Sequence, residues 1–268
     1  MSIHQTRESD SAPPDINEVI DQEHPFPEIR RLTLWQFLSW FKLAWLDIKS
    51  APVTSLFYGL CFAAMGWVLK LSLSHAPEYI SALSCGFLLV GPLLALGLYD
   101  VSRRLESKQR GMAATLFSMK GRWNNIGTLA LVLAVILMVW ARASLIVFAL
   151  FSNKPMPNAH AFIQQLLAFE NLEFVFVYGF VGFMFAALVF AFSWVSIPLM
   201  LDRDTDAISA MLISCVALFK NFWMAVLWAL SIVIFVVIGF LTWNLFLIIA
   251  MPIVGHATWH AYRDLIGD

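Results

Sequence analysis

The sequence predicts an all-α polytopic membrane protein: six transmembrane helices arranged as three hairpins, with amphipathic helices at the interface. Three observations carry this. Apolar residues make up 60% of the 268-residue chain and charged residues only 13%, against roughly 45–50% and about 25% in a soluble domain. Mean hydropathy is correspondingly high, at +0.76. The apolar residues form long continuous runs, not the alternation of a spanning β-barrel strand. The lysines and arginines gather in alternate connections between those runs.

The elements follow in order. Residues 1–31 are polar, with Pro13, Pro14, Pro25 and Pro27 and a scatter of acids. They read as a disordered cytoplasmic tail. The first 50 residues hold no short apolar core followed by small residues, so no signal peptide is expected. Residues 32–266 read as one membrane domain. A spanning helix needs about 20 apolar residues, and the tracts at about 53–73, 79–99, 126–151 and 174–201 qualify. The tract 219–261 is 43 residues long without a charge between Lys220 and Arg263. It must fold back, around Gly239 to Asn244, giving spans at about 219–239 and 242–261.

Fourteen of the 17 lysines and arginines then lie on one side: Arg7, Arg30, Arg31, Lys42, Lys49, Arg103, Arg104, Lys108, Arg110, Lys120, Arg122, Arg203, Lys220 and Arg263. Lys70, Arg142 and Lys154 remain. The positive-inside rule puts both termini in the cytoplasm.

A degenerate threefold repeat underlies the spans. Lys-x-x-Trp occurs as Lys42/Trp45, Lys120/Trp123 and Lys220/Trp223, each before an odd-numbered span. Lysine and tryptophan suit the headgroup layer as interfacial anchors. GPLLALGLYDVSRRL (91–105) matches MPIVGHATWHAYRDL (251–265) at an offset of 160, aligning Pro92 with Pro252 and Arg103 with Arg263. SIPLMLDRDTD (196–206) is a looser version, with Pro198 and Arg203. The three prolines sit near the cytoplasmic ends of even spans, where each kinks its helix. They frame a cavity or aim each helix into its charged connector.

The stretch before span one is amphipathic. At 100° per residue, Phe37, Phe41, Ala44, Trp45 and Ile48 share a stripe, opposite Gln36, Ser39, Lys42, Asp47 and Lys49. Such a helix suits the membrane plane, and Pro52 marks the bend that follows. The stretch from Asp204 to Trp223 opens on an N-cap-like Asp/Thr cluster and does similar work before span five.

The phrases GHATWHAYRDL and IPLMLDRDTDAISAM, with the proline-containing end of span two, resemble the DUF2189 family of predicted bacterial integral membrane proteins. The resemblance takes in most of residues 35–265, and the C-terminal phrase is its most specific part. It implies six helices in a bacterial inner membrane and carries no mechanism.

Candidate chemistry is sparse. His256 and His260 are one helical turn apart and share a face. Two such imidazoles suit a metal, but a structural zinc site wants four ligands, and no nearby motif supplies the rest. The competing reading is a pair of polar residues at a helix end meeting water. Haem needs axial ligands on different spans, and His4, His24, His75 and His160 all fall outside them. No cofactor or metal is expected. Cys61, Cys85 and Cys215 read as membrane-buried thiols.

Arg142 is the sharpest single residue. It follows 15 apolar or small residues and precedes about nine more. A charge at such depth costs at least ~2.5 kcal/mol and usually faces a bundle interior or cavity. It reads as an anion- or carboxylate-binding residue, with Glu170 and Glu173 the nearest partners by topology, or as a side chain that snorkels outward. Asp202, Arg203 and Asp204, with Asp206, lack the calcium-loop spacing. They read as a helix cap and headgroup contacts that also rank as binding candidates. Asp100 with Arg103 and Arg104 is a helix-end charge cluster.

Walker, GxGxxG, GxSxG and HExxH motifs are absent, and a net charge of −1 without a basic tail argues against nucleic acid. Three functions stay open. The first is a non-enzymatic scaffold or accessory protein binding a membrane protein complex or lipid. The second is a small-solute transporter or channel with Arg142 in its path. The third is a lipid-acting enzyme using His256 and His260.

Overall fold

Each apolar tract becomes a helix. The computed structural model describes residues 27–75, 80–107, 123–151 and 172–267. Among them are nine helices and no strand: α1 (Leu34–Ser50), α2 (Pro52–His75), α3 (Ile80–Glu106), α4 (Trp123–Phe151), α5 (Leu172–Ser193), α6 (Ser196–Asp202), α7 (Ala207–Lys220), α8 (Phe222–Leu241) and α9 (Leu247–Ile266). The segment 1–26, Lys120 and the connection 152–171 with Glu170 and His160 lie outside the described residues, so expectations placed there are untouched.

Four stretches are long and apolar enough to cross a membrane: Pro52–Leu71, Asn124–Phe151, Leu172–Asp202 and Phe222–Leu241. The third runs through α5 and α6, and its 31 residues span about 46 Å, more than the ~30 Å hydrocarbon core. α2 packs along α3, α4 along α5, and α8 along α9. The reversal between α8 and α9 falls at residues 242–246, where Trp243 (φ 56°) and Asn244 (φ 65°) both take the left-handed conformation.

Local sequence explains the ends. Gln36 Oε1 accepts from Thr33 N (2.8 Å) at the start of α1, half of a capping box. Asp206 caps α7 through Ser209 N (3.0 Å), as its position predicts. α1 passes into α2 through Ala51 (φ −135°, ψ 59°), and α7 into α8 through Asn221 (φ −123°, ψ 38°). A one-residue hinge thus follows each of these two helices. Lys42/Trp45 lies within α1, however, whereas Lys220/Trp223 straddles its hinge, so the two anchors are not equivalent.

Packing adds detail in three places. Trp45 is 45% exposed and Asp47 turns inward, so the buried face of α1 is Trp40, Ala44 and Ile48. Phe37, Trp40 and Phe41 meet Trp228 of α8 edge-on or tilted. Pro198 is the third residue of α6, a first-turn position where no helical N–H is required. The break precedes it, at Trp194–Val195. Finally, Ile29 and Leu32 are buried. Lys220 Nζ donates to Ile29 O, and Asn221 binds Leu32 N (2.7 Å) and Arg30 O (3.0 Å). The segment before α1 is thus held against the junction of α7 and α8.

Pro252 does lie inside its helix. Having no N–H, it leaves the Ile248 carbonyl without its helical donor. Gly59 of α2 packs on that carbonyl, and a Cβ there would collide with Ile248 O. α9 is the centre of the fold. It packs against α1, α2 and α3, and residues 254–262 are all buried.

Candidate functional site

The buried half of α9 carries the polar residues that its sequence singled out. His256 and His260 point one turn apart toward α1, α2 and α3. His256 is fully buried and His260 nearly so, so neither is a polar group left at a water-facing helix end.

Their hydrogen bonds form one chain. Ser102 Oγ donates to Asp47 Oδ2 (2.6 Å). The Ser102 hydroxyl has only that one proton to give, so its oxygen accepts from His256 Nδ1 (2.7 Å). The neutral ring then has a bare Nε2, which accepts from Ser55 Oγ (2.9 Å). Asp47 Oδ2 also binds His260 Nε2 (2.9 Å) and lies 3.8 Å from His256 Nδ1. On its other edge, His260 Nδ1 is 3.7 Å from Glu106 Oε1. Ser55, Ser102 and His256 are completely buried, which makes each of these bonds costly to leave unmade.

Electrostatics follow the contacts. Burial raises the Asp47 carboxyl, but hydrogen bonds from His260 and Ser102 and the neighbouring imidazoles outweigh it, and its pKa falls below 3.8. Burial dominates at Glu106, whose pKa rises above 4.5 despite Trp259, Arg263 and His260. Burial and the adjacent Asp202 raise the Tyr262 hydroxyl.

A second set of charges links the ends of α3, α6 and α9. Arg103 of α3 donates to Leu201 O at the end of α6 (2.9 Å). Arg203, after α6, donates to Gly267 O at the end of α9 (2.9 Å). Arg263 of α9 reaches Glu106 at the end of α3 (Nε–Oε2, 3.4 Å). Each arginine thus tethers the C-terminal end of the next helix, in a closed cycle. Pro92–Arg103 and Pro252–Arg263 are both eleven residues apart and Pro198–Arg203 five, so the cycle survives a shortened middle unit. Buried Asp100 holds both Arg103 and Arg104 at 2.8 Å. Asp202 accepts from Tyr262 OH (2.8 Å) and Arg263 (3.4 Å). Asp204 is exposed.

Other candidates stand apart. Arg142 points outward from α4 among exposed Met138, Val139, Leu145 and Ile146. Lys42 and Trp223 are exposed. Among the described residues no group of three or more His, Cys, Asp or Glu is placed to hold a metal ion.

Residues 80–202 match the family of predicted integral membrane proteins DUF2189. The DUF2189 stretch runs from the start of α3 to the end of α6 and contains Asp100, Ser102, Arg103, Glu106, Arg142 and Asp202. It is narrower than the resemblance suggested. It leaves out α1, α2 and α9, and with them Asp47, Ser55 and GHATWHAYRDL. No curated protein and no solved structure matches the chain. Sequence reasoning missed four members of the site: Asp47, Ser55, Ser102 and Glu106. The available signal was Asp47, the single carboxylate between Leu34 and Ser50.

Proposed function

We propose that this chain is a multi-pass protein of a bacterial inner membrane, with six spans in three hairpins and both termini cytoplasmic. In that membrane it acts as a non-enzymatic scaffold or accessory protein that holds a membrane protein partner or lipid. The observation that carries this is where the polar groups go. Both nitrogens of His256, the hydroxyls of Ser55 and Ser102, and the ring arginines are engaged by other groups of the chain. A solute path or a reaction centre needs polar groups turned toward an incoming molecule. Meanwhile α4, α5 and α8 turn aromatic and aliphatic residues outward, among them Leu131, Phe176, Phe183 and Leu241.

The topology is supported by the charges. Arg103, Arg203, Arg263 and Lys220 meet at one end of the helices, the end to which the positive-inside rule assigns the cytoplasm. Arg142, facing outward, is poorly placed to line a path through the bundle. Ser55 and His256 have the order of a nucleophile and its base. Both are fully buried, which argues against substrate access.

The test is recovery from native membranes in mild detergent, with co-purifying proteins and lipids identified by mass spectrometry. A stoichiometric partner protein or a retained lipid class is expected. Recovery of the chain with neither would overturn the scaffold reading.

A further inference from the structure

Lys70 is a cation set apart from the arginine-tied helix ends. It lies at the far end of α2, against the reversal between α8 and α9. The 20 residues of α9 separate that reversal from the arginines by about 30 Å of helix, the thickness of a hydrocarbon core. The Lys70 ammonium sits over the ring of Trp243, 3.5 Å from its centroid.

That ring is held in place against a backbone preference. Trp243 and Asn244 both take the left-handed conformation (φ 56° and 65°). Asparagine tolerates it, but for a bulky residue it is an outlier that the surroundings must enforce. One face of α2 does so. Trp67 Nε1 donates to Trp243 O (2.7 Å). Gly66 leaves room for the buried Asn244 amide, where a Cβ would lie 2.9 Å from Cγ and Oδ1. Gly66 and Trp67 precede Lys70 by four and three residues, so all three face the reversal together. Glycine would make this turn without strain. Tryptophan adds an exposed ring beside a cation.

The surroundings narrow the ligand. Trp243 and Trp67 are 69% and 36% exposed, and the flanking Val68, Leu71, Leu241 and Leu245 are 52–75% exposed. Lysine and tryptophan beside an aliphatic rim match a headgroup layer over acyl chains. Residues 60–75 and 238–250 contain no aspartate or glutamate, and among the described residues Lys70 is in no ion pair. Its ammonium has three donors and no acceptor. The indole covers one side, and the others are left for an anion.

We propose that Lys70, Trp67 and Trp243 form a binding site for the phosphate of an anionic phospholipid, on the membrane face opposite the arginines. Lys70 donates to a phosphate oxygen, the Trp243 ring steadies the ammonium, and the aliphatic rim meets the first methylenes of the acyl chains. A zwitterionic headgroup brings its own cation to the phosphate and competes with the lysine, so a net negative headgroup is preferred. This gives the lipid of the scaffold reading a chemical class, and rests on that reading only for insertion in a bilayer.

The experiment titrates the full-length protein in a neutral detergent with phosphatidylglycerol or phosphatidylcholine and counts bound lipid by native mass spectrometry. The proteins compared are the wild type, Lys70→Gln, Lys70→Arg, Trp243→Leu and, as a control on α1, Lys42→Gln. The wild type should bind its first phosphatidylglycerol more tightly than phosphatidylcholine. Lys70→Gln should lose about fivefold of that affinity and Trp243→Leu about threefold, whereas Lys70→Arg and Lys42→Gln should keep it. Circular dichroism confirms that each variant is folded, and Lys70→Gln, an exposed change, carries the test where Trp243→Leu is not. Equal affinity in Lys70→Gln and the wild type, no preference over phosphatidylcholine, or a preference lost in Lys42→Gln instead would each overturn the proposal. Glycerol phosphate that binds the lipid-free protein with the same dependence on Lys70 would assign the site to a soluble phosphate and overturn the lipid. A protein partner retained from native membranes, with lipid binding indifferent to Lys70, would preserve the scaffold reading while refuting this one. Lys70-dependent binding of added lipid by a chain recovered with neither partner nor lipid would do the reverse.

Discussion

Gly59→Ala tests the packing that positions the buried site. In an exposed helix interior, alanine is better than glycine by about 1 kcal/mol. At position 59 the sign should invert. The new methyl would collide with the Ile248 carbonyl oxygen and press on Ile248 C and Cα. Backbone gives way less readily than a side chain. Overpacking a rigid contact costs ~1–3 kcal/mol, and the upper end applies here. Subtracting the propensity gain leaves a net loss of about 2 kcal/mol. The displacement also reaches the buried polar chain, because Ser55 lies one turn away on α2 and bonds His256 one turn beyond Pro252. Gly127→Ala is the internal control, since nothing lies within 4 Å of a Cβ at that position. It should be neutral or stabilising by up to about 1 kcal/mol. The assay is thermal unfolding in one detergent, followed by tryptophan fluorescence. A Gly59→Ala protein as stable as Gly127→Ala would refute the close approach of α2 to the Pro252 kink.

Three further outcomes are expected. Ser102→Ala should destabilise by about 1–3 kcal/mol in the same assay, because it leaves His256 Nδ1 and Asp47 short of a buried partner. Asp47 has a lowered folded pKa, so its contribution is present above pH ~3.8 and is lost as pH falls through the folded value. Asp47→Asn should therefore be less stable than wild type at neutral pH, with the gap narrowing below about pH 4 in an unfolding series against pH. Arg203→Met should cost about 1 kcal/mol, discounted for partial exposure. It should also speed hydrogen exchange at the end of α9, where Gly267 O loses its donor.

The helices and their ends were legible because they rest on local signals. Continuous apolar runs mark α2, α4, α5 and α8, and the cap at Asp206 needs only its own neighbours. The reversal after Leu241 follows from length alone, since a single helix over 219–261 would be about twice the bilayer thickness. The direction in which each helix faces was far less legible. α4 is apolar around its whole circumference, so composition gives the depth of Arg142 along the axis and no angle about it. α1 failed in a different way. Its periodicity put Asp47 on the polar face and left out the partners that draw it inward. Those partners are distant in sequence: Ser102 is 55 residues away and His260 is 213. Ser55 and His256 are 201 apart. Serines in apolar helices carry no signal until such a partner is known.

The two polar systems have one physical logic. Each of α3, α6 and α9 ends in carbonyls that its own helix cannot satisfy. An arginine beside such an end offers several donors and a charge suited to the negative pole of a helix. The repeat supplies one arginine per unit. Arg103 and Arg203 each donate to a carbonyl at the end of a neighbouring helix, and Arg263 reaches the Glu106 carboxylate at the end of α3, so the three contacts tie the ends to one another. Arg103, Arg203 and Arg263 tie the ends of α3, α6 and α9 together, while Asp47 takes hydrogen bonds from Ser102 and His260. The same arginines are among those on which the positive-inside expectation rests. Residues that sequence counting treats as topology markers therefore also tie together the helix ends that carry Glu106 and follow His260.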